Sequence, residues 1–315
     1  MKKSLSPFFN TPFHSVLKEV PLSLFIKTSS TLIILREDQI HPFVSGNKFR
    51  KLKYNIEQAI KAEYKTVLTF GGAYSNHIAA VAAAGKMTGM QTIGIIRGEE
   101  LSKKITENPT LLYAQEQGMQ LHFITRETYR NKYEASQIEA LRESFGDFYL
   151  LPEGGTNHLA VKGCKEILSE NEDANTFDYI CAPVGTGGTL AGLIEASKPH
   201  QKVLGFSALK GTFQTSEIQK YTAKENFEIT DDYCFGGYAK IDLQLVRFIN
   251  EFHEKTDIPL DPIYTGKMLF GIVDLLKRGY FKENSRIFAV HTGGLQGISG
   301  MNQHLKKKNL PQINT

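Results

Sequence analysis

Residues 179–193 have the sequence YICAPVGTGGTLAGL, in which an apolar run leads through a loop of small residues into a helix. The run Tyr179–Pro183 predicts a buried strand, and Gly185–Thr189 forms the loop. A strand that passes directly into a helix points backbone N–H groups and the positive helix end at one place, which attracts an anion such as phosphate. The alternative is a tight turn that serves close packing. The loop lacks the pattern of a nucleoside-triphosphate loop and the G-x-G-x-x-G spacing of a dinucleotide site.

Two further glycine loops follow predicted strands in the same way. FGGAYSNH (residues 70–77) follows one strand, and VHTGGL (residues 290–295) follows another. Open parallel sheets bind ligands beyond the carboxyl ends of their strands. The three loops are therefore predicted to share one site. The histidines within them, His77 and His291, are interpreted as structural residues.

Short β-type runs alternate with runs of helical period along most of the chain, which is typical of an α/β fold. Predicted helices begin near Lys48, at Asn76, at Asn108-Pro109 and after Pro262, whereas residues 209–260 carry no clear pattern. Continuous apolar strands between helices favour parallel sheets buried on both faces. At ~150 residues per domain, the 315 residues correspond to about two domains. The predicted strands are Leu32–Leu35, Thr66–Phe70, Thr92–Ile96, Leu121–Thr125, Phe148–Leu151, Tyr179–Pro183, Val203–Ala208 and Ile287–His291.

Composition narrows the class of protein. The 37 lysines and arginines against 33 acidic residues give a formal charge of +4, which is weak for a nucleic-acid binder. No apolar run approaches the ~18 residues of a membrane span, and Pro7 and Pro12 interrupt any signal-peptide core. Cys164, Cys181 and Cys234 form no C-x-x-C pair, so neither a zinc site nor a disulfide framework is expected. These features predict a soluble cytoplasmic protein without metal, membrane or nucleic-acid partners.

A lysine stands at the start of one predicted helix, in Gly46-Asn47-Lys48. The helix macrodipole disfavours a positive charge at that end, so the amine of Lys48 is more available as a nucleophile. The alternative is an ordinary surface lysine in a basic helix. The neighbouring Arg50, Lys51 and Lys53 are interpreted as surface cations of that kind.

Five motifs occur in order over roughly residues 30–295, and together they carry a family resemblance. They are Ser45-Gly46-Asn47-Lys48, Gly71–His77, Gly185–Thr189, Tyr264-Thr265-Gly266-Lys267 and His291-Thr292-Gly293-Gly294. This set resembles the D-cysteine desulfhydrase and 1-aminocyclopropane-1-carboxylate deaminase family, which are pyridoxal-phosphate (PLP) enzymes of the tryptophan-synthase-β fold (PLP fold type II). The resemblance implies an α/β protein with two open parallel-sheet domains. Residues 1–50 with 153–315 are expected to form a large PLP-binding domain, and residues 51–152 a small α/β domain.

The resemblance also implies roles for single residues. Lys48 matches the lysine that bonds covalently to the cofactor aldehyde, Asn76 the residue that hydrogen-bonds the pyridine 3-hydroxyl, and Ser75 the serine that faces the substrate carboxylate or the cofactor. Tyr264 matches an active-site tyrosine, and Tyr238 more loosely a second one. Ser75 as a helix N-cap and Tyr264 as a packed tyrosine are the alternatives. The cofactor phosphate cup is matched by Gly185, Thr186, Gly187, Gly188 and Thr189.

One position departs from the deaminase pattern. Deaminases of the family carry a carboxylate directly after the motif tyrosine, where it meets the pyridine nitrogen, but this chain has Thr265 there. In desulfhydrase-like members a threonine of the last glycine loop faces the nitrogen, and Thr292 matches it. Because a hydroxyl holds a ring proton less well than a carboxylate does, the cofactor is a weaker electron sink. That favours D-cysteine desulfhydrase-like α,β-elimination, which gives a 2-oxo acid, ammonia and sulfide.

The favoured mechanism needs few residues. Lys48 or a tyrosine removes the α-proton, and Tyr264 protonates the leaving group or positions the substrate. The substrate is then a small amino acid, and the fold implies a homodimer. Alternative functions are a 1-aminocyclopropane-1-carboxylate deaminase, another enzyme of the fold such as a serine or threonine dehydratase or a racemase, a non-catalytic PLP binder, and a nucleotide-binding protein that uses Gly185–Thr189 alone.

Overall fold

The computed structural model describes residues 15–314, so the signal-peptide prediction, which concerns the first residues of the chain, lies outside the described residues. The strands are β1 (Val16–Val20), β2 (Thr31–Arg36), β3 (Thr66–Gly71), β4 (Gln91–Arg97), β5 (Gln120–Ile124), β6 (Tyr149–Leu151), β7 (Tyr179–Val184), β8 (Lys202–Ser207), β9 (Phe227–Thr230) and β10 (Arg286–Val290). The helices are α1 (Asn47–Lys61), α2 (Asn76–Thr88), α3 (Pro109–Glu116), α4 (Arg126–Arg130), α5 (Ala135–Phe145), α6 (His158–Ser169), α7 (Gly188–Ala196), α8 (Gln214–Gln219), α9 (Leu243–Thr256), α10 (Thr265–Lys277) and α11 (Gly297–Lys307).

The larger sheet has six strands in the order β1-β2-β10-β7-β8-β9. All neighbours are parallel except β1, which runs antiparallel to β2 at one edge. The sequence pattern missed β1 and β9, because charged residues interrupt the apolar run in both of these edge strands, VLKEV and FEIT. The predicted parallel arrangement is present, with β1 as one antiparallel edge strand.

The smaller sheet has four parallel strands in the order β5-β4-β3-β6. Its central strand β3 is buried along its whole length, as continuous apolar runs predict for strands covered on both faces. Each of the eight predicted strands is present, with its ends within one residue of the prediction. The prediction of an α/β fold with two parallel-sheet domains is confirmed.

The four predicted helices are present as α1, α2, α3 and α10. Asn108 caps α3, since its side-chain oxygen accepts hydrogen bonds of 3.0 Å from backbone N–H groups of the first turn, and Pro109 is the first helical residue. Residues 209–260, which had no clear pattern, contain α8, β9 and α9. The loop before α9 has positive φ at Phe235, Gly236, Gly237 and Ala239, and such a loop has no period to detect.

Three helices, α1, α6 and α7, form a helix block in which backbones approach closely at two glycines. A Cβ atom at Gly163 of α6 would lie 1.9 Å from the carbonyl oxygen of Arg50 in α1. A Cβ atom at Gly192 of α7 would lie 2.5 Å from the Cβ of Cys164 in α6. Because Lys48 is at the start of α1 and the glycine loop at the start of α7, the block fixes the distance between them.

Three further observations concern membrane-spanning helices, metal ligands and cysteines. Within residues 15–314, no helix has the length and apolar character needed to cross a bilayer. In the same range, no group of three or more histidine, cysteine, aspartate or glutamate residues is placed to hold a metal ion. The three cysteines are buried free thiols, so they do not link the two sheets covalently.

Candidate active site

A cleft of about 890 Å³ lies where the carboxyl ends of strands from both sheets face each other. The three glycine loops meet in this cleft, as the sequence predicts. Of the predicted site residues, only Gly188 does not line it, since Gly188 packs against Thr156. The lining includes Lys48, Ser75, Asn76, Gly185, Thr186, Gly187, Thr189, Tyr238, Tyr264 and Thr292.

Lys48 is held at the cleft by the first turn of α1. Gly46 has φ +66, and a Cβ there would lie 2.0 Å from the carbonyl oxygen of Thr292, so the chain reaches α1 only through a glycine. The Asn47 amide donates to the Thr189 hydroxyl at 2.7 Å, and the Lys48 amine donates to the Asn47 side-chain oxygen at 3.2 Å. Asn47 therefore links the lysine to the glycine loop.

The amine of Lys48 is a weak base in this position. Burial, reinforced by the positive charge of Lys51, lowers the pKa of Lys48 to about 7. A neutral amine is the nucleophilic form, so Lys48 is ready to attack an aldehyde near neutral pH.

This pKa predicts how the reactivity of Lys48 changes with pH. With a pKa of about 7, the neutral fraction rises about tenfold between pH 6 and pH 8 and then levels off. We expect the labelling rate of Lys48 in cofactor-free protein by an amine-specific reagent to follow this curve, as measured by peptide mass spectrometry. A rate that keeps rising steeply up to pH 10 would contradict the prediction.

A second lysine, Lys51, lies beside the glycine loop. Its amine donates to the carbonyl oxygen of Gly154 at 3.0 Å and to the hydroxyls of Thr156 at 3.0 Å and Thr186 at 3.4 Å. Burial lowers its pKa to about 8. At neutral pH the amine is thus mostly protonated, and it faces the loop that predicts an anion site. Lys51 belongs to no sequence motif, although its place one turn after Lys48 on the same helix was a usable signal.

The interpretation of the basic helix residues as surface cations is wrong for two of the three. Lys51 is 2% exposed and Arg50 is 3% exposed, whereas Lys53 remains partly exposed. Arg50 is buried because its guanidinium pairs with the carboxylate of Glu37 at 3.0 Å. Buried cations need such partners, and these lie outside α1, where the sequence pattern of the helix does not show them.

Ser75 and Asn76 begin α2 at the end of β3. The Ser75 hydroxyl accepts a 3.4 Å hydrogen bond from the backbone N–H of Ile78, so the N-cap alternative describes its geometry, while the residue also lines the cleft. The side-chain oxygen of Asn76 is buried and has no hydrogen-bond partner within residues 15–314. A buried polar atom without a partner costs ~1–3 kcal/mol, which indicates that a ligand group completes it.

Tyr264 is fixed at the start of α10 by a buried carboxylate. Asp261 accepts hydrogen bonds of 2.8–2.9 Å from the backbone N–H groups of Ile263, Tyr264 and Thr265. Burial, reinforced by Tyr238 and Asp261, raises the pKa of Tyr264 well above its usual value. The hydroxyl therefore stays protonated and can act as a hydrogen-bond donor in the cleft.

Tyr238 approaches Tyr264 from a loop that a buried lysine holds. The two rings meet edge to face with centroids 6.3 Å apart. The Lys267 amine donates to the carbonyl oxygens of Cys234 at 2.7 Å and Gly237 at 2.8 Å. Lys267 thus fastens the positive-φ loop to α10, which explains how the loosely matched Tyr238 reaches the same site as Tyr264.

Thr265 and Thr292, the two threonines considered for the pyridine nitrogen, occupy different places. Thr292 lines the cleft, and its carbonyl oxygen accepts a 3.2 Å hydrogen bond from the backbone N–H of Asn47. Thr265 is fully buried, and its hydroxyl has no partner in the described part of the chain. The buried Asp261 carboxylate, four residues before Thr265, accepts the backbone N–H groups that begin α10.

The histidines of the glycine loops are buried within the fold. His77 lines the cleft and shares a 2.8 Å hydrogen bond with Thr69, and burial lowers its pKa well below the usual value. His291 contacts the carbonyl oxygen of Pro259 at 2.8 Å and Asp38 at 3.3 Å. These bonds fit the interpretation of both residues as structural.

Comparison with known proteins agrees with this geometry. A Pyrococcus abyssi protein provisionally named as a 1-aminocyclopropane-1-carboxylate deaminase is 28% identical over 89% of this chain and 90% of its own. The Arabidopsis thaliana bifunctional D-cysteine desulfhydrase/1-aminocyclopropane-1-carboxylate deaminase is 27% identical over 87% of this chain and 74% of its own. A crystal structure of an ACC deaminase homologue superposes with a TM-score of 0.79 and 25% identity, covering 98% of each chain. Residues 9–293 match the family described as pyridoxal-phosphate dependent enzyme, and the chain therefore belongs to that family.

Proposed function

We propose that this PLP-dependent enzyme catalyses D-cysteine desulfhydrase-like α,β-elimination. The observation that carries the proposal is Thr265, a buried hydroxyl at the position after the motif tyrosine where the deaminase pattern has a carboxylate. The nearest buried carboxylate, Asp261, is committed to three backbone N–H groups. A site without a free carboxylate there suits the expulsion of a good leaving group better than the opening of a cyclopropane.

The residues of the cleft fit PLP. Lys48 provides an amine with a pKa of about 7 for the aldehyde, and the Gly185–Thr189 loop with Lys51 provides backbone N–H groups and a cation for the phosphate. The unpartnered side-chain oxygen of Asn76 provides an acceptor for the 3-hydroxyl. Thr292 lines the cleft and is the candidate partner of the pyridine nitrogen.

The reaction then depends on proton control by this chain. When bound, PLP accepts the electron pair released at the substrate α-carbon. The Lys48 amine takes the α-proton, because its lowered pKa keeps it partly neutral near pH 7. The protonated hydroxyl of Tyr264 donates to the leaving sulfur, and Ser75 orients the substrate carboxylate at the start of α2.

A substrate panel tests the proposed reaction. Holoenzyme is given D- and L-cysteine, D- and L-serine, L-threonine and 1-aminocyclopropane-1-carboxylate, and sulfide, ammonia and 2-oxo acid are measured. We expect sulfide, ammonia and pyruvate from D-cysteine at the highest kcat/KM of the panel. The highest kcat/KM on aminocyclopropane carboxylate would contradict the proposal and favour the second candidate function, deaminase activity, which the names of both curated relatives support.

The organisation of the protein is proposed on the same basis. We propose that residues 1–50 with 153–315 form the PLP-binding domain and residues 51–152 the small domain, which is supported by the distribution of strands between the two sheets. A cytoplasmic homodimer that acts on amino acids and binds no nucleic acid is proposed from the family and from the weak net charge. Sedimentation equilibrium of the holoenzyme tests the dimer.

A further inference from the structure

Arg97 is a cleft residue to which no motif assigned a role. It is the last residue of β4, it is exposed, and it lines the mouth of the cleft. Its Nη2 atom lies 3.7 Å from the place that a Cβ would take at Gly72, so the guanidinium covers the loop that leads into α2. The guanidinium carbon also lies 5.7 Å from the centre of the Tyr129 ring, which supports the side chain from one side.

Within the described residues 15–314, the charge of Arg97 has no carboxylate partner, whereas that of Lys132 in the same cleft has one. The amine of Lys132 pairs with the carboxylate of Glu153 at 3.1 Å, and Lys51 is engaged beside the glycine loop. Partial enclosure raises the pKa of Tyr238, which also lines the cleft, and the charge of Arg97 opposes that rise. A planar guanidinium in this position is suited to bidentate binding of an anionic group.

The depth of Arg97 in the cleft indicates which end of a substrate it meets. Ser75 and the N-terminus of α2 adjoin Asn76, whose side-chain oxygen is buried, and this helix start is the candidate anion site for the substrate α-carboxylate. Arg97 is exposed whereas Ser75 and Asn76 are half-buried, so the guanidinium lies on the solvent side of that carboxylate site, toward the outer end of a bound amino acid. The cleft volume of about 890 Å³, which has to hold both PLP and the substrate, lies in the upper part of the ~300–1,000 Å³ usual for ligand pockets.

We propose that Arg97 binds an anionic group on the leaving-group side of the substrate, so that the enzyme prefers β-thio amino acids whose sulfur carries a carboxylate. This rests on the proposed elimination activity and names its substrate class. For S-carboxymethylcysteine the Cα–H and Cβ–S bonds break, the α-proton passes to Lys48, and the sulfur leaves with the bonding pair and takes a proton. With one water the products are pyruvate, ammonia and the carboxymethyl thiol.

Matched neutral and acidic substrates test the proposal. Holoenzyme is assayed with S-carboxymethylcysteine, its amide S-carbamoylmethylcysteine and cysteine, each in the D and L forms, and binding is followed by the change in cofactor absorbance. We expect wild-type enzyme to bind the acid about tenfold more tightly than the amide, the usual gain from one charge-assisted bidentate pair. Arg97→Gln is expected to remove this preference and to leave the affinities for the amide and for cysteine within about twofold of the wild-type values. Arg97→Lys is expected to retain part of the preference.

Arg126→Gln is the matched control, because it removes the same charge from an exposed arginine that pairs with Glu100 away from the cleft. It is expected to leave the preference unchanged. Equal losses for all three substrates in Arg97→Gln, or no preference for the acid in wild type, would overturn the proposal while cysteine turnover persists. If no substrate alters the absorbance of cofactor-loaded protein, the proposed function itself fails, and the proposal fails with it.

Discussion

Lys48→Ala is expected to abolish covalent attachment of PLP and to reduce turnover to background. Lys48 combines a place in the cleft with a pKa of about 7, so it supplies both the nucleophilic amine and the base. Borohydride reduction followed by peptide mass spectrometry measures the attachment. The wild-type adduct is expected on the peptide that contains Lys48, and the variant is expected to lose both the adduct and the yellow absorbance band.

Lys53→Ala is the matched control for this experiment. Lys53 lies on the same helix, where it remains partly exposed and pairs with Glu166 at 2.6 Å outside the cleft. Its variant is expected to keep the adduct and the turnover of wild type. An adduct on Lys51 or Lys267 in the wild-type protein would contradict the assignment, since both are also buried lysines with lowered pKa values.

Gly163→Ala is expected to destabilise the protein by about 3 kcal/mol, at the upper end of the usual range for overpacking. In an ordinary helix this change is stabilising, because alanine is the better helix former by ~1 kcal/mol. Here the new Cβ would lie 1.9 Å from the carbonyl oxygen of Arg50, and a backbone atom cannot rotate away. Helices α1 and α6 must then separate, which moves Lys48.

Guanidinium-chloride unfolding of the apoprotein measures this loss, and PLP titration measures its effect on the site. We expect cofactor affinity to fall about tenfold, as a misplaced anchor loses part of its binding energy. Gly279→Ala is the control, since Gly279 has φ +68 but nothing within 4 Å of its Cβ position. It is expected to lower the free energy of unfolding by about 1 kcal/mol, because alanine is strained in the left-handed conformation, and to leave PLP affinity unchanged. Equal unfolding losses in both variants would contradict the packing argument.

The strands could be predicted where burial on both faces requires a continuous run of apolar residues. That holds for inner strands such as β3 and β7, and it fails at β1 and β9, where charged residues interrupt the apolar run of a partly exposed edge strand. The loop before α9 was missed for a different reason. It is held by Lys267 from another element and by positive φ angles, neither of which leaves a periodic pattern.

The part of the site that could be predicted is the part where glycine loops mark the ends of strands. Lys48, Asn76 and Thr292 meet in one cleft because parallel strands end at the same edge. The burial of Lys51 was not foreseen, because its partners Thr156 and Thr186 are more than a hundred positions away along the chain. Arg97 had no motif, since only the fold brings it into the same cleft as Tyr238.

The helix block has a consequence for redesign of this enzyme. The lysine anchor and the glycine loop are spaced by two glycine contacts between backbones, and neither contact involves the outer wall formed by Arg97 and Lys132. Substitutions in that wall can therefore be used to change which amino acids the enzyme accepts, without moving the residues that hold the vitamin-derived prosthetic group.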